Sequence, residues 1–237
     1  MSYCFVEQEL GPLKVFRLPE PGMVYTMGVD AATGLGEDFS SAQILTNTIP
    51  SEQVAVFRAQ WQVHQFGEFV NMLGRFYNEA LNVCEVNYPG NSIMDALLQY
   101  YRYPRNYQAE EHLDEDPNVS CKYGFRTTEA SKWLLINETQ IALVNEELII
   151  NDPVTISEMM NYVYQSNKNK AGAASGFNDD TVMALMLAYH GVRLYPFIRP
   201  KHEAKKKEVK LNADEVKSWR LFRQKIGNIR KNEGVLL

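Results

Sequence analysis

Soft metal ligands are scarce in this 237-residue chain, which has three cysteines and four histidines. Cys4, Cys84 and Cys121 are odd in number and far apart, which excludes a disulfide framework and a zinc knuckle. His64, His112, His190 and His202 share no ligand spacing and read as structural or exposed side chains. No apolar run approaches the roughly 18 residues of a membrane-spanning helix. The opening MSYCFVEQEL lacks the basic-then-apolar order of a secretory leader. The phosphate-loop pattern GxxxxGK(S/T) is missing as well, so Gly34 and Gly36 do not belong to a Walker loop. There is no internal repeat. These absences leave a chain of ordinary globular composition, 45% hydrophobic and 22% charged. It is long enough to bury a real core as one large domain or two small ones. A reducing cytoplasm is the simplest compartment.

Charge is plentiful but unevenly placed. The formal net charge is −5, yet residues 199–237 carry 12 Lys+Arg against 5 Asp+Glu, and residues 1–198 carry 12 against 24. A basic tail on an acidic body suits a polyanion or an acidic partner, with solvated surface charge as the ordinary alternative. Beyond Pro196 and Pro200 the tail holds the Lys205-Lys206-Lys207 run and a capping-box pattern at Asn212 to Glu215. That pattern predicts an amphipathic helix with Trp219, Phe222, Ile226 and Ile229 on one face. The expected organisation is a linker and edge segment over 1–22, a main domain over 23–195 and a basic tail over 196–237.

Along the chain, Val15 to Leu18 reads as an edge strand between two Gly/Pro turns. Val24 to Ala31, Ser40 to Thr46 and Val54 to Trp61 read as three antiparallel strands. Residues 64–78 have helical spacing, Ala80 to Val86 is a fourth strand, and Ser92 is placed to cap a helix reaching about Tyr103. Pro104 to Ser120 is polar and acidic, an exposed loop or hairpin. Thr128 opens a helix to about Glu147, with Trp133, Leu134, Ile136, Ile141 and Val144 as its expected core face. Leu148 to Ile150 reads as a short strand and Thr155 to Tyr164 as a helix. Residues 165–176 are small and polar and predict a mobile loop. Asn178-Asp179-Asp180 then begins a helix that is apolar nearly all round and must be buried.

Acids end or begin three of these elements: Asp30 on the first core strand, Glu85 on the fourth, and Asp179 with Asp180 at the last helix. Each alone has an ordinary explanation, as a turn former, a satisfied acid or a helix start. If the first and fourth strands are neighbours and the last helix packs on the sheet, all four acids converge. Such a cluster repels itself and is stable only around divalent cations. Two cations about 3.5–4 Å apart can then activate water and stabilise the leaving oxygen in phosphodiester hydrolysis.

Four segments carry a family resemblance: GVDAATGLGEDFSSAQIL, VCEVNYPGNSIMDALLQYY, GFRTTEASKWLLI and GFNDDTVMALMLAYHG. In this order and spacing the chain resembles the nuclease domain of phage large terminase subunits, over roughly Leu18 to Val192. That family belongs to the RNase H-like superfamily alongside RuvC-type resolvases. The resemblance implies an α/β fold with a mixed sheet, antiparallel first strands and helices on both faces. It also implies an Mg²⁺- or Mn²⁺-dependent endonuclease, with two cations, that cuts concatemeric double-stranded viral DNA during packaging. By position, Asp30, Glu85 and Asp180 match the catalytic metal ligands, with Asp179 a further metal contact. Asp38 matches a weaker outer-shell position, and Lys132 a recurrent lysine with phosphate or structural work. Arg126, Lys132, Lys168 and Lys170 are the expected DNA contacts. Asn178 stands where the family often has histidine, so no histidine ligand is expected there. With no Walker loop, the chain is expected to be the nuclease part alone. The implied partners are the packaging ATPase domain, the portal protein and the small terminase subunit, in the host cell cytoplasm. A junction resolvase, a transposase-type nuclease and a non-catalytic packaging module with a degenerate nuclease fold remain the alternatives.

Overall fold

The structure, a computed structural model, describes residues 5–6, 8, 10–36, 38–109, 122–165 and 170–195. All fall within one compact unit, Met1–Ile198. The basic tail with its expected helix, Lys168, residues 110–120 of the acidic stretch and Cys121 lie outside the described residues.

The strands are β1 (Leu13–Val15), β2 (Tyr25–Asp30), β3 (Ser40–Thr46), β4 (Ser51–Ala59), β5 (Leu81–Cys84), β6 (Leu148–Ile149), β7 (Tyr162–Gln165) and β8 (Lys170–Ala173). The helices are α1 (Val63–Phe76), α2 (Gly90–Asp95), α3 (Glu129–Val144), α4 (Pro153–Met160) and α5 (Asp180–Leu194). The main sheet runs β1-β4-β3-β2-β5, with β6 added beside β4. Strands β2, β3 and β4 form the expected antiparallel meander, and β5 joins β2 in parallel. This is the expected mixed α/β sheet with antiparallel first strands.

Side-chain alternation along β2 decides which face carries the chemistry. Tyr25, Met27 and Val29 pack with Phe57, Phe66 and Leu73 in the core under α1 and α2. Thr26, Gly28 and Asp30 therefore face the opposite side, where α5 lies. A Cβ on Gly28 would sit 2.0 Å from the Ala184 carbonyl oxygen and 2.4 Å from the Ala188 nitrogen. A Cβ on Gly191 would sit 2.6 Å from Thr26 Cγ2. Glycine at each place lets the α5 backbone ride directly on β2, with its N-terminus directed to the Asp30 end. Every residue of α5 from Thr181 to Val192 is buried, and Leu185 and Leu187 each contribute roughly 1.5–3 kcal/mol by leaving water.

Several expectations are corrected. The edge strand lies at Leu13–Val15 rather than Val15 to Leu18. Helix α2 starts at Gly90 with Pro89, not Ser92, at its cap, and it ends in a wider π turn, Ala96–Tyr100. On α3 only Ile136 of the expected core face is buried, with Leu135, Glu138, Thr139 and Ala142, while Trp133, Leu134, Ile141 and Val144 are exposed. The inward stripe is partly polar because Glu138 accepts from His190 Nδ1 at 2.8 Å and pairs with Arg193 at 3.0 Å. His190 is thus structural, as expected. Helix α4 stops at Met160, where Asn161 caps it, and the chain turns into β7. Strand β7 pairs antiparallel with β8, so the expected mobile loop contributes an ordered strand.

Candidate active site

Three elements deliver the acids to one end of the sheet. Asp30 ends β2 on the α5 face. Strand β5 pairs beside it as far as Val29↔Cys84, and the Glu85 amide then donates to the Val29 carbonyl at 3.0 Å. Leu81 and Val83 pack under α5 in the second core cluster, so Glu85, two residues further, shares their face. The α5 N-terminus brings Asp179 as cap and Asp180 as first helical residue.

The electrostatics follow from this placement. Burial pushes the Asp30 carboxyl well above the usual carboxylate range, and the neighbouring Glu85, by charge and by hydrogen bond, pushes it further. Asp180 and Asp179 add to the same repulsion. Asp180 is itself pushed up to about 6, by burial first and then by Glu158, while the Phe39 N–H and Arg58 pull the other way. Burial also raises the Cys84 thiol, so it is held neutral beneath the acids.

Two residues that the sequence reading did not single out hold this arrangement. Glu158 on α4 accepts from the Thr181 amide at 2.9 Å and the Thr181 hydroxyl at 2.5 Å, so a carboxylate caps the first turn of α5. Arg58 lies on β4 in a cross-strand row, Asp30↔Ser41↔Arg58. Its guanidinium sits 3.5 Å over the Phe39 ring, 3.3 Å from Glu158 Oε1 and 3.9 Å from Asp180 Oδ2. The Phe39 amide donates to Asp180 Oδ2 at 3.4 Å. Gln43 ties the same turn down by donating to the Thr181 carbonyl at 2.7 Å. Arg58 had a signal in the sequence, a charge closing the apolar run VAVF, but Glu158 had none.

The remaining candidates divide. Lys132 on α3 lies 3.8 Å from Asp179 Oδ2 and 5.6 Å from the Tyr162 ring centre, so it faces the acids. Arg126 is exposed and follows Phe125, the bridge partner of Glu85. Lys170 is exposed at the start of β8, and Asp38 is exposed beside Phe39. Lys168 lies outside the described residues.

The four acids offer carboxylate oxygen alone, the hard donor set that Mg²⁺ and Mn²⁺ prefer. Their mutual repulsion is the kind that a divalent cation relieves, so the donors fit such an ion in chemistry. Among the described residues, no group of three or more His, Cys, Asp or Glu side chains is arranged to hold a metal ion as it stands.

No protein-family model matches the sequence, and neither does any curated protein. By structure the chain is similar to the large terminase nuclease of thermophilic phage G20c with bound cobalt, with TM-score 0.61 and 18% identity over 77% of this chain and 89% of that one. The same nuclease with bound magnesium gives TM-score 0.61, 18% identity and the same coverage. The large terminase nuclease domain of Thermus phage P74-26 gives TM-score 0.58 at 18% identity, over 77% of this chain and 86% of that one. The chain therefore shares the fold of phage large terminase nucleases.

Proposed function

We propose that this chain is a divalent-metal-dependent endonuclease that cuts double-stranded viral DNA during genome packaging. The observation that carries the reading is the placement of Asp30, Glu85, Asp179 and Asp180 at one end of a sheet shared with terminase nucleases. Residues 23–195 would be the nuclease domain and 196–237 its basic tail. The packaging ATPase, portal and small subunit would be its partners in the host cytoplasm.

Asp30, Glu85 and Asp180, with Asp179, would hold two Mg²⁺ or Mn²⁺ ions. Bound there, the cations would lower the pKa of a water and offset the charge that builds on the phosphate in the transition state. The protein groups do the positioning. Glu158 and Gln43 fix the first turn of α5, which sets where Asp180 and Asp179 point. Arg58 and Lys132 stand on Asp180 and Asp179 respectively, offsetting part of the acid charge while the DNA is absent. Arg126 and Lys170, with Lys168, would meet the phosphate backbone, a contact that carries no sequence information.

The test is plasmid nicking in Mg²⁺ or Mn²⁺. The expected result is nicking that EDTA abolishes and that Asp30→Asn abolishes in a folded protein. Nicking that persists in Asp30→Asn would overturn the site. The second reading, a non-catalytic packaging module, predicts no metal-dependent nicking at all. Preferential cutting of four-way junctions over linear duplex would instead indicate a resolvase.

A further inference from the structure

Arg58 reaches the acids from the main sheet itself, whereas Lys132 comes from α3. In the row Asp30↔Ser41↔Arg58, residues directly opposite one another share a face. Neighbouring strands lie about 4.8 Å apart, so the Asp30 and Arg58 backbones are roughly 10 Å apart on the face that carries α5. The Arg58 amide donates to the Pro12 carbonyl at 3.1 Å, which fixes where the side chain starts. From there the guanidinium extends toward α5 and comes 3.9 Å from Asp180 Oδ2.

Its donors lie close to two carboxylates yet are spent on neither. Glu158 Oε2 is taken by the Thr181 amide and hydroxyl, and Oε1 lies 3.3 Å from Arg58 Nε. That pair attracts by charge but is not aligned to share a hydrogen. Both Nε and Oε1 are buried without a hydrogen-bond partner among the described residues. Asp180 Oδ2, at 3.9 Å, is beyond hydrogen-bond reach of Nη2. An arginine whose only work was to neutralise Glu158 would be expected to donate to it.

The rest of the setting holds the group ready. A guanidinium carries five N–H donors in a planar fork. One face of this fork lies on the Phe39 ring, 3.5 Å from its centre, so the donors point along the edge. The side chain is still 26% exposed, which leaves part of it within reach of a ligand. A planar fork matches two oxygens of a carboxylate or a phosphate. A further carboxylate would join a place already crowded with acids. A phosphate is what the proposed reaction brings there.

We propose that Arg58 is a catalytic residue of the nuclease, donating hydrogen bonds to the non-bridging oxygens of the phosphate to be cut. The proposal rests on the nuclease reading above. Arg58 moves no proton, because a guanidinium stays charged in proteins. It offsets the charge that grows on those oxygens as the transition state forms, as arginine clamps do on transferring phosphoryl groups. Strand β4, Phe39 and Glu158 hold the fork in place before DNA arrives.

The test reads binding and cutting separately. Binding is measured without metal and without cutting, as the fluorescence anisotropy of a short labelled DNA duplex with the Asp30→Asn chain in EDTA over a range of salt. Adding Arg58→Gln is expected to flatten the slope of log K against log salt by about 0.9, the share of one phosphate contact. Arg58→Lys keeps the charge and is expected to leave that slope as it was. Cutting is measured as plasmid nicking in Mn²⁺ at saturating DNA, with Asp30 intact. Arg58→Gln is expected to lower kcat about a hundredfold, and Arg58→Lys about tenfold, since a point charge lacks the fork. Urea unfolding reads the lost partner of Glu158 on its own, and Arg58→Lys serves where Arg58→Gln fails to fold. A slope unchanged in Arg58→Gln, or a kcat unchanged in either variant, would overturn the proposal and leave Arg58 a structural ion-pair partner. Failure of the wild-type chain to nick at all would instead remove the nuclease reading on which the proposal stands.

Discussion

Asp30 occupies a place that disfavours its charge, since burial and then Glu85 raise its carboxyl. An asparagine of the same shape keeps the hydrogen-bonding edge and removes the repulsion. Asp30→Asn is therefore expected to stabilise the metal-free chain while abolishing nicking, the trade that strained active sites show. A rise in Tm of about 2–4 °C in EDTA would correspond to about 1 kcal/mol for a chain of this size, and thermal melting of both proteins checks it. Glu158 behaves oppositely. It is buried, caps Thr181 and faces Arg58, so Glu158→Ala leaves the Thr181 amide and hydroxyl without their partner and leaves Asp180 as the acid beside Arg58. About 3 kcal/mol of stability should be lost in urea unfolding. Asp30 was legible in the sequence because a charge at the end of an apolar run is costly unless something meets it. Glu158 was not, since SEMM on a short helix looks like any solvated acid.

Helix α5 and strand β2 work as one element, because the helix lies against the strand with no side chain between them at Gly28. A methyl group there would overlap the α5 backbone, which cannot rotate away as a side chain could. Gly28→Ala is expected to cost at least about 3 kcal/mol and to reduce nicking, because Asp180 moves with the helix; urea unfolding and the plasmid assay read the two effects. Burial of α5 was legible from its apolar circumference, and the β2–β3–β4 meander from its alternation and turns. The inward face of α3 was not legible, because its apolar residues lie on both sides and the buried stripe includes Glu138, which meets His190 and Arg193 of α5. The β7–β8 hairpin was missed for a similar reason. Ala171, Gly172 and Ala173 read as a loose loop, yet a Cβ on Gly172 would lie 3.3 Å from Asp179 Oδ2 and 4.0 Å from Lys132 Nζ. Their small size reflects close approach to the acids.

At the scale of the molecule, the cluster makes folding depend on protons and, on the proposed function, on cations as well. Asp180 titrates near 6 in the folded chain against an ordinary value of 3.8, and Asp30 is raised in the same direction. The folded state thus binds more protons than the unfolded one between about pH 4 and 6, so stability falls as pH rises through that window. Asp152 works the other way: burial raises it, but Lys14 and Thr155 outweigh this and hold its carboxyl below the usual range. Its contribution is lost only as pH falls below about 4, outside the window. In EDTA the Tm should therefore be lower at about pH 8 than at about pH 5. Mg²⁺ or Mn²⁺ at about a hundred times its Kd should restore roughly 2.7 kcal/mol, a rise of about 5–10 °C at the higher pH. The rise should be smaller at the lower pH, where protons compete for the same carboxylates. Melting curves at both pH values, with and without the ion, decide the matter. An equal rise in the Asp30→Asn, Asp180→Asn double variant would place the ion elsewhere, and a Tm indifferent to pH in EDTA would mean that the acids do not repel one another as their positions require.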